Sequence, residues 1–319
     1  MKSPFKIDPE YPTLMQSDLP LRLFFTGKVK DVYKYGDELL FVVTDRISTH
    51  DCVYPQGIPH KGYGLTQTAK YVFEKTRNIC NNHFIESPDP NTMIVYKTNV
   101  FPVEVIVRGV LTGSAWRSYE KTGEVCGIKL PKGMKKNQIL DSPIVTPTIK
   151  AKTGHDEAIT SAKAREIVGP VWDEIEKLSL KLYEVGNLLV NERNAVLVDT
   201  KFEWGMKGKK LMLVDEALTH DSSRFVMRED YKKAFYEGKD PDWIDKQFVR
   251  NYVEGLGFRG DGEPPKLPEK IILGCAERVL MVYYLLSGEY LPLPEEPPTN
   301  ERIIKNLMGW EITYQTKQL

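Results

Sequence analysis

AVLVDTKFEWGMKGKKLMLVDEALTHDSSRF, residues 195–225, is the stretch that decides the fold of this chain. Its two apolar runs, 195–198 and 211–214, are rich in valine and leucine. Between them lies the segment 205–210, whose glycines and lysines are typical of a turn. We therefore predict a β-hairpin, with the rest of the chain arranged around it.

Charged side chains follow each apolar run of this hairpin. Asp199, Lys201 and Glu203 alternate along the first strand and share one of its faces. An odd loop, such as 207–209, puts Lys201 opposite Asp215, whereas an even loop sends Asp215 to the other face. Buried charges of this kind are costly unless a ligand lies between them. Mg²⁺ carrying a polyphosphate fits, because magnesium binds through one or two carboxylates plus substrate oxygens.

The alternative for these charges is a solvated strand end with a lysine–aspartate surface pair. The next segment, residues 219–224, reads THDSSR. An arginine and hydroxyls beside a metal site suit the recognition of phosphate or carboxylate groups. This segment therefore favours the ligand site over the solvated strand end.

Composition limits the classes to which the protein can belong. A chain of 319 residues exceeds the usual single core, so two lobes that share a cleft are expected. Lys+Arg and Asp+Glu are each 44, and a formal net charge of zero gives no support for a nucleic-acid or membrane partner. The four cysteines are far apart, and no secretory signal or membrane-spanning stretch is found. We expect a soluble, cytoplasmic protein with reduced thiols.

The order of elements predicts an α+β fold with two lobes. The runs LRLFF, VKDVYKY and ELLFVVT indicate an antiparallel meander that follows an irregular arm. We assign residues 1–110 to a β-rich N-terminal lobe and 111–319 to a mixed α/β lobe, with a nucleotide in the cleft by analogy with other two-lobe proteins. Helices are predicted over about 64–77, 115–121, 170–186 and 269–286, and one more from 240 to 255 or 257. A strand is predicted over 93–98. Residues 129–154 are predicted to form a long loop, either a lid or an ordered crossover.

Two further clusters carry candidate binding residues. Gly27, Lys28 and Lys30 follow the first strand, where backbone N–H groups and ammonium charges would cover phosphates; an ordinary hairpin tip is the alternative. In FPVEVIVRGVLTGSAW, residues 101–116, the valines share one face and Glu104 and Arg108 the other. The turn before Ala115 is a candidate anion site, although Ser114 also suits a simple helix N-cap.

Five motifs resemble those of the SAICAR synthetase family, the phosphoribosylaminoimidazole-succinocarboxamide synthases. In chain order they are GKVKDVY, VVTDRIS, FPVEVIVRGVLTGSAW, LVDTKFEWG and LVDEALTHDSSRF, which span residues 27–225. TPTIKAKTGHDE and DKQFVRNYV are weaker matches. The chain departs from the family at Lys30, Trp204 and His220, where arginine, phenylalanine and proline are usual.

The resemblance implies an ATP-dependent ligase of purine biosynthesis. Such an enzyme joins L-aspartate to 5-aminoimidazole-4-carboxylate ribotide, also called carboxyaminoimidazole ribotide, and releases the succinocarboxamide, ADP and phosphate. An acyl phosphate would supply the leaving group that a carboxylate lacks. The implied cofactors are ATP and Mg²⁺, the implied partners are small molecules, and both a monomer and a homodimer remain open.

Roles for individual residues follow from the same resemblance. Phosphate and nucleotide contacts are assigned to Gly27, Lys28, Lys30 and Glu104, and Mg²⁺ to Glu203 and Asp215. Lys201 would neutralise the transferring phosphoryl group or the substrate carboxylate. Arg108, Ser114 and Arg224 would bind the ribotide. Asp199 and Asp221 would either orient its hydroxyls or accept the amine proton. Asp45 and Arg46 would help to form a pocket for the substrate aspartate.

Two other functions share parts of this layout. A kinase-type phosphotransferase would show an HRD-type catalytic loop, which the sequence lacks, and its turnover would not need free aspartate. A nucleotide-binding regulatory module would bind ATP without consuming it. Release of ADP with aspartate and the ribotide, added singly and together, separates all three.

Overall fold

The computed structural model describes residues 4–150 and 157–316. Its strands are β1 (Leu23–Thr26), β2 (Lys30–Tyr35), β3 (Glu38–Val43), β4 (Arg46–Thr49), β5 (Cys52–Gly57), β6 (Phe84–Glu86), β7 (Thr92–Tyr96), β8 (Asn99–Leu111), β9 (Glu124–Val125), β10 (Ile128–Lys129), β11 (Gln138–Ile149), β12 (Glu157–Ala158), β13 (Ala195–Lys207), β14 (Lys210–Val214) and β15 (Ser223–Met227). Its helices are α1 (Lys61–Lys75), α2 (Gly113–Thr122), α3 (Ser161–Val168), α4 (Trp172–Asn191), α5 (Arg228–Glu237), α6 (Gln247–Gly255), α7 (Glu269–Ser287) and α8 (Asn300–Thr316).

The N-terminal sheet has the strand order β1-β2-β3-β7-β6, with antiparallel neighbours. The predicted meander is therefore confirmed. One face contributes to the large core together with α1, because alternate side chains of β3 and β7 point there. The opposite face packs against Ile303 and Leu307 of α8.

The second sheet has the order β12-β11-β8-β13-β14, and β15 pairs with the first half of β13. Val103, Val105 and Val107 of β8 lie in the core, where α4 packs against the sheet. The valine face predicted for this strand is thus confirmed, and so is the two-lobe α+β fold. The lobe boundary at residues 110 and 111 stays a prediction, and β8 belongs to the second sheet from Asn99 onward.

The hairpin register differs from the odd-loop alternative. Lys207 pairs with Lys210, which leaves a turn of residues 208–209, an even number, so a pairing of Lys201 with Asp215 is wrong. Glu203 pairs with Val214, and Asp215 follows the last paired residue. Asp215 has a φ of 64°, in the left-handed region, so its side chain does not follow the alternation of the strand.

Two helix predictions were wrong for tertiary reasons. No helix begins at residue 240: Ile244 donates its backbone N–H to the carbonyl oxygen of Phe225 at 2.8 Å, and helix α6 begins at Gln247. Helix α4 does not stop at Gly186 but continues to Asn191. Gly186 permits close packing, because an added Cβ would lie 2.7 Å from Leu218 Cδ1.

The long loop predicted over 129–154 contains regular structure. Residues 138–149 form β11, which pairs with β8 and rules out a lid in that part. Residues 151–154 lie outside the described residues, as does part of the match TPTIKAKTGHDE. All four cysteines are unpaired, and none of the helices within 4–150 and 157–316 could span a membrane.

Candidate active site

A polar cleft of about 790 Å³ lies where the two lobes meet. The N-terminal lobe lines it at the tip of the β1–β2 turn and the β4–β5 turn, and the second lobe supplies β8, α2, β13 and the segments before β15 and around α6. Seven residues singled out in the sequence line this cleft: Lys28, Arg108, Ser114, Asp199, Lys201, Asp221 and Arg224.

Lys201 is held between two carboxylates on adjacent strands. Its Nζ donates to Glu104 at 2.8 Å and to Glu203 at 2.9 Å, because β8 and β13 pair these glutamates directly opposite each other. Lys150 forms a second ion pair with Glu203. Burial raises the pKa of Glu104, although Lys201 opposes this shift. The arrangement keeps a cation fixed in the cleft with its counter-charges on one side.

Lys30 and Asp215 form the next ion pair, between the N-terminal sheet and the end of β14. Burial works against the charge of both groups, but Asp215 raises the pKa of Lys30 and Lys30 lowers that of Asp215. Glu216, which sequence reasoning missed, is buried beside them and accepts a hydrogen bond from Thr219 Oγ1 at 2.9 Å. Burial raises its pKa. Glu203 also acts electrostatically on Lys30, so carboxylates from both hairpin strands converge on one lysine.

Asp199 joins the two predicted ribotide arginines. Arg108 Nη1 donates to it at 3.0 Å and Arg224 Nε at 2.9 Å, because β13 pairs Asp199 with Arg108 on one side and Arg224 on the other. Burial raises the pKa of Asp199, but the two guanidiniums outweigh it and the net shift is downward. Asp199 is therefore a weak proton acceptor that orients two arginines.

Asp221 is at the centre of a buried cluster of charges. Lys61 and Lys246 each donate to its carboxylate at 2.8 Å, and Nδ1 of His220 lies 3.3 Å from it. The two lysines lower the pKa of Asp221 despite its burial. Sequence reasoning missed both lysines. The match DKQFVRNYV contains Lys246, but nothing local marks Lys61, whose partner lies 160 residues away.

The structure does not place Asp45 and Arg46 in a substrate pocket. Asp45 is fully buried and accepts backbone N–H groups of Leu14 and Gly62, each at 2.8 Å, and burial raises its pKa to about 6. Arg46 is engaged with Asp31 and with backbone carbonyls of the β1–β2 turn. Neither side chain lines the cleft, and both are engaged in contacts within the N-terminal lobe. Their assignment to an aspartate pocket stays a prediction that these contacts do not favour.

Ser114 is not the helix N-cap that we considered as its alternative role. Thr112 occupies that position without a side-chain cap, and α2 begins at Gly113. Ser114 therefore lies in the first turn of the helix, where its Oγ accepts a hydrogen bond from Arg108 Nη2 at 3.2 Å. An uncapped helix start beside an arginine is suited to an anion.

The donor set near Lys30 fits a magnesium ion. Glu203 and Asp215 supply hard carboxylate oxygens, and magnesium needs only one or two of these when a polyphosphate completes its coordination. No group of three or more His, Cys, Asp or Glu residues suited to a metal occurs in the described part of the chain. The carboxylates alone are therefore at most part of a site that a phosphorylated ligand would complete.

Lysines interleaved with carboxylates, and arginines gathered at a helix start, are the arrangement expected in an enzyme that binds phosphorylated substrates. Comparisons identify the family. A model of SAICAR synthetase matches residues 23–266. Phosphoribosylaminoimidazole-succinocarboxamide synthase of Legionella pneumophila is 38% identical over 312 residues, 93% of this chain and 98% of that protein. The Bacteroides fragilis protein of the same name is 41% identical over 295 residues, 90% of this chain and 94% of its own length.

Solved structures agree. SAICAR synthase from Saccharomyces cerevisiae, in complex with SAICAR, is 34% identical with a TM-score of 0.79, covering 88% of this chain and 100% of that one. A SAICAR synthetase in complex with ADP is 23% identical with a TM-score of 0.65, and covers 84% and 99% of the two chains. The chain belongs to the SAICAR synthetase family. It is an ATP-dependent ligase of purine biosynthesis that joins L-aspartate to 5-aminoimidazole-4-carboxylate ribotide.

Proposed function

We propose that the reaction takes place at Lys201 on the cleft wall, with Glu203 and Asp215 close behind it, and that the ribotide extends from there to the start of α2. The observation that carries this proposal is the double ion pairing of Lys201 with Glu104 and Glu203 at the cleft wall. A lysine fixed in this way can attract a carboxylate or a phosphoryl oxygen without a change in its own position.

The chemistry proceeds in two displacements. A ribotide carboxylate oxygen attacks the γ-phosphorus of ATP, the bond to the β-phosphate oxygen breaks, and ADP leaves. The aspartate amine then attacks the carbonyl carbon of the acyl phosphate, phosphate departs with the electron pair of the broken C–O bond, and the proton from nitrogen passes to the departing phosphate. Lys201 holds the ribotide carboxylate beside the phosphoryl group, and Lys28 and Lys30 with the Gly27 backbone bind the triphosphate.

Glu203 and Asp215 would hold Mg²⁺, which supplies charge neutralisation for the triphosphate. In the structure Asp215 is ion-paired with Lys30, and Glu203 is ion-paired with Lys201 and Lys150. With a nucleotide bound, these ammonium groups would be attracted to its phosphate oxygens, which would leave carboxylate oxygens of Glu203 and Asp215 for the metal. Asp199 and Asp221 orient cations in this scheme rather than accept the amine proton, because their pKa values are lowered.

Isotope transfer tests the proposed intermediate. We expect ¹⁸O placed in the ribotide carboxylate to appear in the released phosphate, because an acyl phosphate leaves with one carboxylate oxygen. ADP release should require the ribotide and should continue through many turnovers only when aspartate is also present. Phosphate without the label would contradict the acyl phosphate. ADP release independent of aspartate at the full rate would instead indicate a phosphotransferase.

Asp215→Asn tests the metal site. We expect at least a hundredfold lower turnover with saturating substrates, since metal neutralisation of transferring phosphoryl groups contributes several kcal/mol. The matched control is Asp242→Asn, which removes an exposed carboxylate bound to Arg278, away from the cleft lining, and should leave turnover unchanged. Near-normal turnover of Asp215→Asn across a Mg²⁺ titration would exclude this residue as a ligand.

A further inference from the structure

Arg117 is a cation of the cleft that has no role in the scheme above. Arg117 lies on α2, is exposed, and lines the cleft. Ser114 is three residues earlier in the same helix, so both side chains project from one face. No hydrogen bond or ion pair joins Arg117 to another residue within 4–150 and 157–316, and Arg117 is close enough to another cation, Arg108, to help lower the pKa of that residue.

The other cations of the cleft are already neutralised. Lys28, Arg108, Lys201, Arg224 and Lys246 are each bound to a carboxylate. Arg250, the remaining one, is close enough to Asp245 to lower its pKa, against the larger effect of burial. Arg117 is thus the cleft cation that is left facing like charge, an arrangement that an anionic ligand would relieve.

The charge balance at the start of α2 indicates what kind of anion fits. Arg108 and Arg224 share Asp199, so these three groups carry a net charge of +1. Asp245 also acts on Arg224, but its negative charge is offset by the nearby Arg250. Arg224 lies against the helix start, since a Cβ on Gly113 would meet its Nη1 at 3.0 Å. A phosphate monoester carries about −1.5 to −2 at neutral pH. Arg117 raises the local positive charge to a value that matches it.

We propose that Arg117 is a ligand of the 5′-phosphate of the ribotide, together with Ser114, Arg108 and Arg224. This inference rests on the proposed function, which places the reacting carboxylate at Lys201 and therefore the phosphate at the far end of the same substrate. Arg117 sets the affinity for the phosphorylated substrate and takes no part in bond making.

Steady-state kinetics of Arg117→Gln test the assignment. We expect KM for the ribotide to rise about tenfold, which corresponds to about 1.4 kcal/mol, with KM for ATP and aspartate unchanged. Arg117→Lys keeps a charge but loses the two-pronged geometry, so it should recover part of the loss. The control Lys121→Gln removes a cation one turn farther along α2, which does not line the cleft, and should behave as wild type.

A second probe isolates the phosphate. Ribose 5-phosphate should compete with the ribotide in the wild-type enzyme, and its inhibition constant should rise about tenfold in Arg117→Gln, whereas weak inhibition by ribose should not change. An unchanged ribotide KM, an equal loss for ribose and ribose 5-phosphate, or an effect on aspartate instead would each overturn the assignment. If the proposed function itself were wrong, the wild-type enzyme would not turn over the ribotide. That result differs from each of the outcomes that concern Arg117 alone.

Discussion

Arg46 shows how one side chain can shape a site that it does not touch. Its guanidinium donates to the carbonyl oxygens of Met15, Gly27 and Lys28 at 2.7, 3.0 and 3.1 Å, and to Asp31 at 2.8 Å. The carbonyls of the β1–β2 turn thereby point inward. The backbone of the same turn is the part of the N-terminal lobe that we propose to cover the ATP phosphates.

Arg46→Lys should weaken nucleotide binding without affecting the ribotide. A lysine keeps the charge beside Asp31 but cannot reach three carbonyls at once. We expect KM for ATP to rise about tenfold, since each hydrogen bond to a charged group contributes about 1.5–3 kcal/mol. The measurement is KM for each substrate together with the thermal midpoint. Equal rises in both KM values, or a lower midpoint with unchanged KM values, would show a purely structural role.

The burial of individual side chains explains why the sequence identified some residues of the cleft correctly and not others. The motifs around Arg108, Lys201 and Arg224 are local, and these side chains do line one cleft. Asp45 lies in one of the same local motifs, but its carboxylate is buried and accepts hydrogen bonds from the backbone N–H groups of Leu14 and Gly62, in two other segments of the chain. Whether a charged side chain serves the active site or the core depends on partners that are far away in the chain. The spacing of apolar residues in the sequence does not reveal these partners.

The elements themselves were more predictable than their ends. Strands β2, β3 and β8 and helices α1 and α7 follow directly from the spacing of apolar residues. The Asp-Pro-Asp sequence at 240–242 is a favourable local start for a helix, yet the segment is extended beside β15 because Ile244 bonds to Phe225. Tertiary contacts of this kind outweigh a local signal of about 1 kcal/mol.

Two helical glycines provide a matched test of element packing. In Gly186→Ala the new methyl group would meet Leu218 at 2.7 Å and Leu197 at 3.2 Å, so we expect a loss of about 1–3 kcal/mol of unfolding free energy. In Gly309→Ala, on α8, an added Cβ has nothing within 4 Å, and a gain of about 0.5–1 kcal/mol is expected. Urea unfolding of both variants measures the two values. Equal effects would mean that helix propensity alone governs both sites.

At the scale of the whole molecule, Asp221 ties together three distant parts of the chain. Lys61 lies in α1, Asp221 follows β14, and Lys246 precedes α6; the side chain of Lys61 is fully buried. Removing one partner of such a cluster leaves uncompensated charge inside the protein. Asp221→Asn should therefore destabilise the protein by about 3–5 kcal/mol at neutral pH.

The pH dependence of this loss has a definite sign. The pKa of Asp221 is lowered in the folded protein, so its contribution is complete above the unfolded value of about 3.9 and is lost as the pH falls below it. The difference in unfolding free energy between wild type and Asp221→Asn should shrink below about pH 4. Asp242→Asn, which breaks an exposed pair, should cost at most about 1 kcal/mol. A gap for Asp221→Asn that is constant down to pH 3 would contradict the cluster's electrostatic role.

Helix α8 has a consequence for the order in which the protein can be completed during synthesis. Leu40, Val42 and Ile94 of the N-terminal sheet pack against Ile303 and Leu307, and Arg302 binds Asp89 at 2.9 Å. The ribosome makes this sheet before the second lobe, but it makes the helix that packs on one of its faces after that lobe. The apolar face on which α8 packs therefore stays only partly covered until the second lobe and α8 have been made, so the first lobe to be translated is not completed first.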